Sequence, residues 1–63
     1  MVESTRILIA DDHALFRAGI RALLESEALM EVVGEVSTGD DAVDQAQILK
    51  PHVVLMDLSM PGS

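Results

Sequence analysis

Three short apolar runs and two stretches of helical periodicity alternate along the chain. Ile7, Leu8, Ile9 and Ala10 form an unbroken apolar run stopped by two aspartates, Asp11 and Asp12, which is how a parallel strand buried on both faces reads. From Ala14 onward Phe16, Ile20 and Leu24 recur every fourth residue, with Gly19 and Leu23 at the three-residue spacings and Arg17, Arg21 and Glu25 opposite. That spacing predicts an amphipathic helix of about three turns. A glycine inside it costs roughly 1 kcal/mol against alanine, so Gly19 is expected to mark a close approach to the sheet. Glu31 to Val36, three valines around Gly34, reads as a second strand, and the polar Glu35 places it at an edge. Thr38 and Asp41 have the spacing of a capping box, Thr38 accepting from a free backbone N–H while Asp41 reaches back. Ala42, Val43, Ala46 and Leu49 follow at helical spacing until Pro51 forbids continuation. Val53 to Met56 reads as a third buried strand, again closed by an aspartate, Asp57.

The order strand, helix, strand, helix, strand requires an α/β fold, with a parallel sheet and right-handed crossovers. Met60, Pro61, Gly62 and Ser63 then leave the sheet as a loop. Nothing follows to cover the other edge of the third strand or one face of the sheet, and the fold reads as interrupted. Length points the same way: 63 residues make one domain at most, shorter than most. The chain is 49% hydrophobic, yet Phe16 is its one aromatic residue, so the core must be aliphatic.

Charge and residue usage exclude several classes of function. A net charge of -7 without a basic stripe argues against direct contact with nucleic acid. The absence of cysteine removes disulfide scaffolds, thiolate zinc sites and thiol nucleophiles. The apolar runs are too short to span a bilayer and Met1 to Arg6 has no signal-peptide pattern, so the reading is a soluble, cytoplasmic protein.

The candidate chemistry lies where the strands end. Neighbouring parallel strands bring their C-terminal ends side by side, so Asp11, Asp12 and Asp57 converge on one rim, the place where open α/β sheets hold ligands. Carboxylates so close repel and raise one another's pKa unless a cation compensates, and an all-oxygen cluster suits Mg²⁺. With a metal in place one carboxylate can act as nucleophile on a phosphoryl group. The alternative is that these aspartates cap helices or open turns, Asp12 capping the first helix. His13 and His52 read as ordinary surface or capping residues, and Arg17 and Arg21 as a solvated helix face. Met30, Met56 and Met60 read as core filler or loop residues. Gly34 and Gly39 bracket a polar stretch without the pattern of a nucleotide loop.

Ile7 to Asp12 with His13, and Val53 to Asp57 with Leu58, Ser59, Met60, Pro61 and Gly62, closely resemble the two N-terminal signatures of bacterial two-component receiver domains. Asp-Asp-His followed by Leu15, Phe16, Arg17, Ala18 and Gly19, and the later Val33, Gly34 and Glu35, are most similar to the NarL/LuxR-type regulators, whose full chains end in a helix-turn-helix DNA-binding domain. The resemblance covers essentially all 63 residues. It implies a flavodoxin-like receiver sheet shortened to β-α-β-α-β, with residues 1–63 as the N-terminal part of the domain and no effector domain. It implies that Asp57 accepts a phosphoryl group from a sensor histidine kinase. Asp12 and Asp57 would bind Mg²⁺ with the backbone carbonyl of Ser59, and Asp11 would hold metal-bound water. A complete receiver of this kind also carries a switch Ser/Thr and an essential Lys, both expected beyond Ser63.

Two function classes follow. One is a phosphoacceptor module of a transcriptional response regulator. The other is a signalling-incompetent interaction module, pairing with a second copy through its exposed sheet edge. An enzyme acting on a small substrate is the weakest reading, since no base, oxyanion site or cofactor loop accompanies the acidic cluster.

Overall fold

The computed structural model describes residues 3–60. Its elements are β1 (Thr5–Ala10), α1 (Ala14–Glu25), β2 (Met30–Val36), α2 (Gly39–Leu49) and β3 (Val53–Met56). The three strands form one parallel sheet in the order β2-β1-β3. β1 begins two residues earlier than its apolar run because the ladder continues through polar side chains. The Thr5 amide donates to the Leu29 carbonyl, while the Arg6 amide donates to His52 Nδ1 and the Arg6 carbonyl accepts from the His52 amide.

The first crossover moves from β1 to one side of the sheet, and the second returns past β1 to the other side. Two crossovers of the same hand that travel in opposite directions must lie on opposite faces. The packing agrees. On one face Ile7, Ile9 and Val32 are covered by Ile20 and Leu24 of α1. On the other, Ala10 packs with Ala42 of α2, Val36 and Met60. Central β1 is thereby buried on both faces from Ile7 to Ala10, as its unbroken apolar run predicts.

β2 changes face part-way along. Thr5, Arg6 and Ile7 pair with Met30, Glu31 and Val32, but Leu8 pairs with Gly34, so Val33 is an extra residue without a partner on β1. Side chains alternate along a strand, and one inserted residue reverses the alternation beyond it. Val32 therefore faces α1, whereas Gly34 lies under Leu49 of α2 and Glu35 returns to the α1 side. A Cβ on Gly34 would come within 2.7 Å of Leu49 Cδ1 and 3.2 Å of Leu8 Cδ1.

Gly34, rather than Gly19, is thus the glycine that lets a helix approach the sheet. The expectation for Gly19 is corrected: a Cβ there would meet nothing within 4 Å, because Gly19 lies on the exposed side of α1. α2 begins as its capping signal predicts, with Thr38 Oγ1 accepting from the Asp41 amide at 3.1 Å. Among the described residues the Asp41 carboxylate makes no return bond, and its charge instead complements the helix N-terminus. The helix stops at Lys50, which adopts the left-handed conformation (φ 49°) and donates to the Ala46 carbonyl.

β3 has the predicted bounds, but its reading as a buried strand is corrected. Val53, Val54, Leu55 and Met56 are 38–41% exposed. Among the described residues the helices pack chiefly on β1 and β2, so β3 is covered mainly from its β1 edge. Leu15, Phe16 and Leu23 of α1 are exposed as well. No described helix is long and apolar enough to cross a membrane.

Candidate functional site

The rim forms because β1 and β3 stay in register to their last residues. Ala10 pairs with Met56, and the next amide of β3, that of Asp57, donates to the Ala10 carbonyl at 2.9 Å. On the other side the Asp11 amide donates to the Val36 carbonyl at 3.0 Å. Asp11 and Asp57 are therefore fixed by the sheet ladder at the same height. This is also where the strand order reverses, with β2 on one side of β1 and β3 on the other.

Both aspartates then fold their own loops. Asp11 Oδ1 accepts from the His13 amide at 2.7 Å, and Asp57 Oδ1 accepts from the Ser59 amide at 3.0 Å and the Ser59 hydroxyl at 2.9 Å. Each is an Asx-type turn two residues ahead. The turn-opening alternative thus describes one oxygen of each carboxylate. Asp57 Oδ2 accepts no hydrogen bond among the described residues and faces His13 at 3.5 Å.

His13 is the member that sequence reasoning passed over. It is an exposed N-cap residue, as expected, but its side chain makes no cap bond. Asp12 does not occupy the N-cap, and that expectation is corrected. The His13 ring turns into the cluster instead, with Nδ1 at 3.0 Å from Asp11 Oδ1 and 3.1 Å from Asp12 Oδ1. Together Asp11, Asp12, His13 and Asp57 bring one ligand atom each within 4.8 Å of one another. The signal was adjacency: His13 directly follows the paired aspartates in the strand-to-helix loop.

The electrostatics correct a second expectation. The Asp57 carboxyl is pushed below its ordinary value, not above it, first by the Ser59 amide, then by the Ser59 hydroxyl, with His13 adding to the effect. The His13 imidazole is pushed up by its hydrogen bond to Asp11, then by the charges of Asp12 and Asp11, with a smaller push from Asp57. The Ser59 donors, with His13 beside them, thus favour the charged form of Asp57.

Arg17 and Arg21 are not simply a solvated face. Arg17 Nε donates to Glu35 Oε1 at 3.0 Å, its NH1 donates to the Asp11 carbonyl, and Arg21 NH1 donates to Glu35 Oε2. The bulge at Val33 turned Glu35 toward α1, and the two guanidiniums meet it there. Arg21 foremost holds the Glu35 carboxyl below its ordinary value. Arg17 thereby ties the loop that carries Asp11 and Asp12 to both α1 and β2. His52 stays where sequence placed it, in the connector before β3, spliced to Arg6 and away from the rim.

The donor set fits Mg²⁺: three carboxylates at one point, with Asp11 the most buried and Asp12 and Asp57 more open to water. Ser59 reaches the rim through its amide and hydroxyl, both directed at Asp57. Pro61, Gly62 and Ser63 lie outside the described residues, while Met60 is buried in the core against Ala10 and Ala42. Below the rim an apolar groove of about 980 Å³ runs between α1 and β3, lined by Ile9, Leu15, Phe16, Ile20 and Leu55.

Comparisons with known proteins converge on one family. The profile of the response regulator receiver domain matches residues 7–63. Response regulator UvrY of Escherichia coli (strain K12) is 54% identical over 56 residues, covering 89% of this chain and 26% of the relative. Response regulator GacA of Pseudomonas protegens is 46% identical over 57 residues, covering 90% of this chain and 27% of the relative. The chain thus spans about a quarter of the length of these relatives. Among solved structures, the signal receiver domain of NarL from Mycobacterium tuberculosis superposes with a TM-score of 0.92 at 38% identity, covering 95% of this chain and 48% of that one.

Proposed function

The chain belongs to the response regulator receiver domain family, and on that premise we propose that residues 1–63 act as the N-terminal part of a phosphoacceptor module in which Asp57 takes a phosphoryl group from a sensor histidine kinase. The observation that carries this reading is Asp57 Oδ2, which accepts no hydrogen bond among the described residues and is held at the rim beside Asp11 and Asp12 while Oδ1 is occupied by Ser59. Ser59 fixes the carboxylate's rotation and keeps it ionised, and so presents Oδ2 as the nucleophile. Oδ2 forms the new O–P bond. The bond from phosphorus to the donor's imidazole nitrogen breaks, and its electron pair leaves with the imidazole.

Asp12, Asp57 and the Ser59 carbonyl are the residues that would hold Mg²⁺, with Asp11 holding metal-bound water. Once bound, Mg²⁺ supplies the positive charge that neutralises the transferring oxygens. Arg17 keeps the Asp11 to His13 loop in place from behind. The module is a signalling element rather than an enzyme, works in the cytoplasm, and in a full-length regulator governs transcription through a separate DNA-binding domain. This segment itself, at net charge -7, makes no contact with nucleic acid and lies off the membrane. Fluorine NMR of beryllofluoride, a phosphoryl mimic, tests the assignment. With Mg²⁺ a bound resonance is expected in the chain and none in Asp57→Asn; an equal resonance in both would rule out Asp57 as the acceptor.

A second reading is favoured by one observation, the exposed β3 edge beside the apolar groove. Four consecutive apolar residues without a charge or proline are what an edge strand uses to recruit another strand. In this reading two copies associate through β3. Sedimentation would then give a dimer indifferent to Mg²⁺, whereas a monomer across the micromolar range would discard it.

A further inference from the structure

The phosphoacceptor reading leaves His13 without a task, although its ring sits among all the carboxylates. We propose that His13 Nδ1 is a ligand of the cation at this rim, giving the site a nitrogen donor and a His13-dependent preference for borderline divalent ions such as Co²⁺ and Ni²⁺ over Mg²⁺. The inference rests on the proposed metal site and adds a donor to it.

Geometry supports the assignment. Ligands about 2.1 Å from an octahedral ion lie about 3 Å apart on neighbouring vertices. Nδ1 is 3.1 Å from an oxygen of Asp12 and 3.5 Å from one of Asp57, the two carboxylates that would hold the ion. The backbone holds it there: the His13 amide donates to Asp11 Oδ1, and the His13 carbonyl accepts from Arg17 in the first turn of α1. The ring has no competing capping role, since it makes no cap bond at a position where Ser, Thr, Asp or Asn would do better. Its side chain is 65% exposed, so coordination requires no further burial. Imidazole suits the later first-row ions, whereas Mg²⁺ is satisfied by carboxylates and water.

Electron spin-echo spectroscopy of the untagged chain with Mn²⁺ as the probe reads ligation directly. The expected result is nitrogen modulation from a bound imidazole, retained in His52→Ala and absent in His13→Ser, a variant that also caps α1 better. By calorimetry His13→Ser should lower the ratio of Ni²⁺ to Mg²⁺ affinity by about tenfold or more, the range seen when a group supporting a metal is removed. Mn²⁺ bound without nitrogen modulation, modulation surviving His13→Ser, or an unchanged affinity ratio would each overturn the proposal while leaving the carboxylate site intact. Failure of both Mg²⁺ and Mn²⁺ to bind, or binding indifferent to Asp57→Asn, would overturn the metal site itself and this inference with it.

Discussion

Glu35 shows how one residue can link two elements around a site it does not enter. Two guanidiniums hold its carboxylate ionised. Because the folded value is depressed, its contribution to stability is present above the unfolded value and is lost as pH falls through the folded one. Carboxyl-carbon NMR should place Glu35 below an ordinary glutamate, and Arg21→Ala should move it back up; an unchanged titration would show that the guanidinium is not the cause. Some of this residue-scale detail was legible in the sequence. Asp11, Asp12 and Asp57 were, because aspartates that end apolar runs must sit at strand termini. His13, Arg17 and Arg21 were not, because helical spacing says which residues share a stripe and not which neighbour meets it.

At the scale of elements, the strands were read closely and their surroundings less well. β1 and β3 follow from unbroken apolar runs, and α2 from Thr38 and Pro51. The bulge at Val33 left no mark in the pattern, yet it determines that Gly34 lies under Leu49. That displaced the role assigned to Gly19. Two stability predictions follow from the corrected assignment, both checked by urea denaturation. Gly19→Ala should stabilise by up to about 1 kcal/mol, since helix propensity rises and the space is open. Gly34→Ala should destabilise by about 1 kcal/mol, because two leucine methyls must shift. A destabilising Gly19→Ala would mean that α1 is more tightly approached than its surroundings show. Thr38→Ala, which loses the bond to the Asp41 amide, should cost about 1 kcal/mol.

For the whole molecule, the order β2-β1-β3 matters more than any one contact. It places the C-terminal ends of β1 and β3 together where the strand order reverses and puts α1 and α2 on opposite faces. The same order leaves β3 and the α1 groove open. A charge on that edge should oppose association there: Val54→Lys should abolish any self-association seen by sedimentation. Dimers that persist in Val54→Lys would locate the contact elsewhere.

The central claim is that this rim makes Asp57 a metal-dependent phosphoacceptor. The most direct measurement is the intact mass of the chain after incubation with acetyl phosphate and Mg²⁺, beside EDTA and Asp57→Asn controls. The account predicts a gain of one phosphoryl group that disappears in both controls. No gain in a folded chain, or a gain that survives Asp57→Asn, would contradict it.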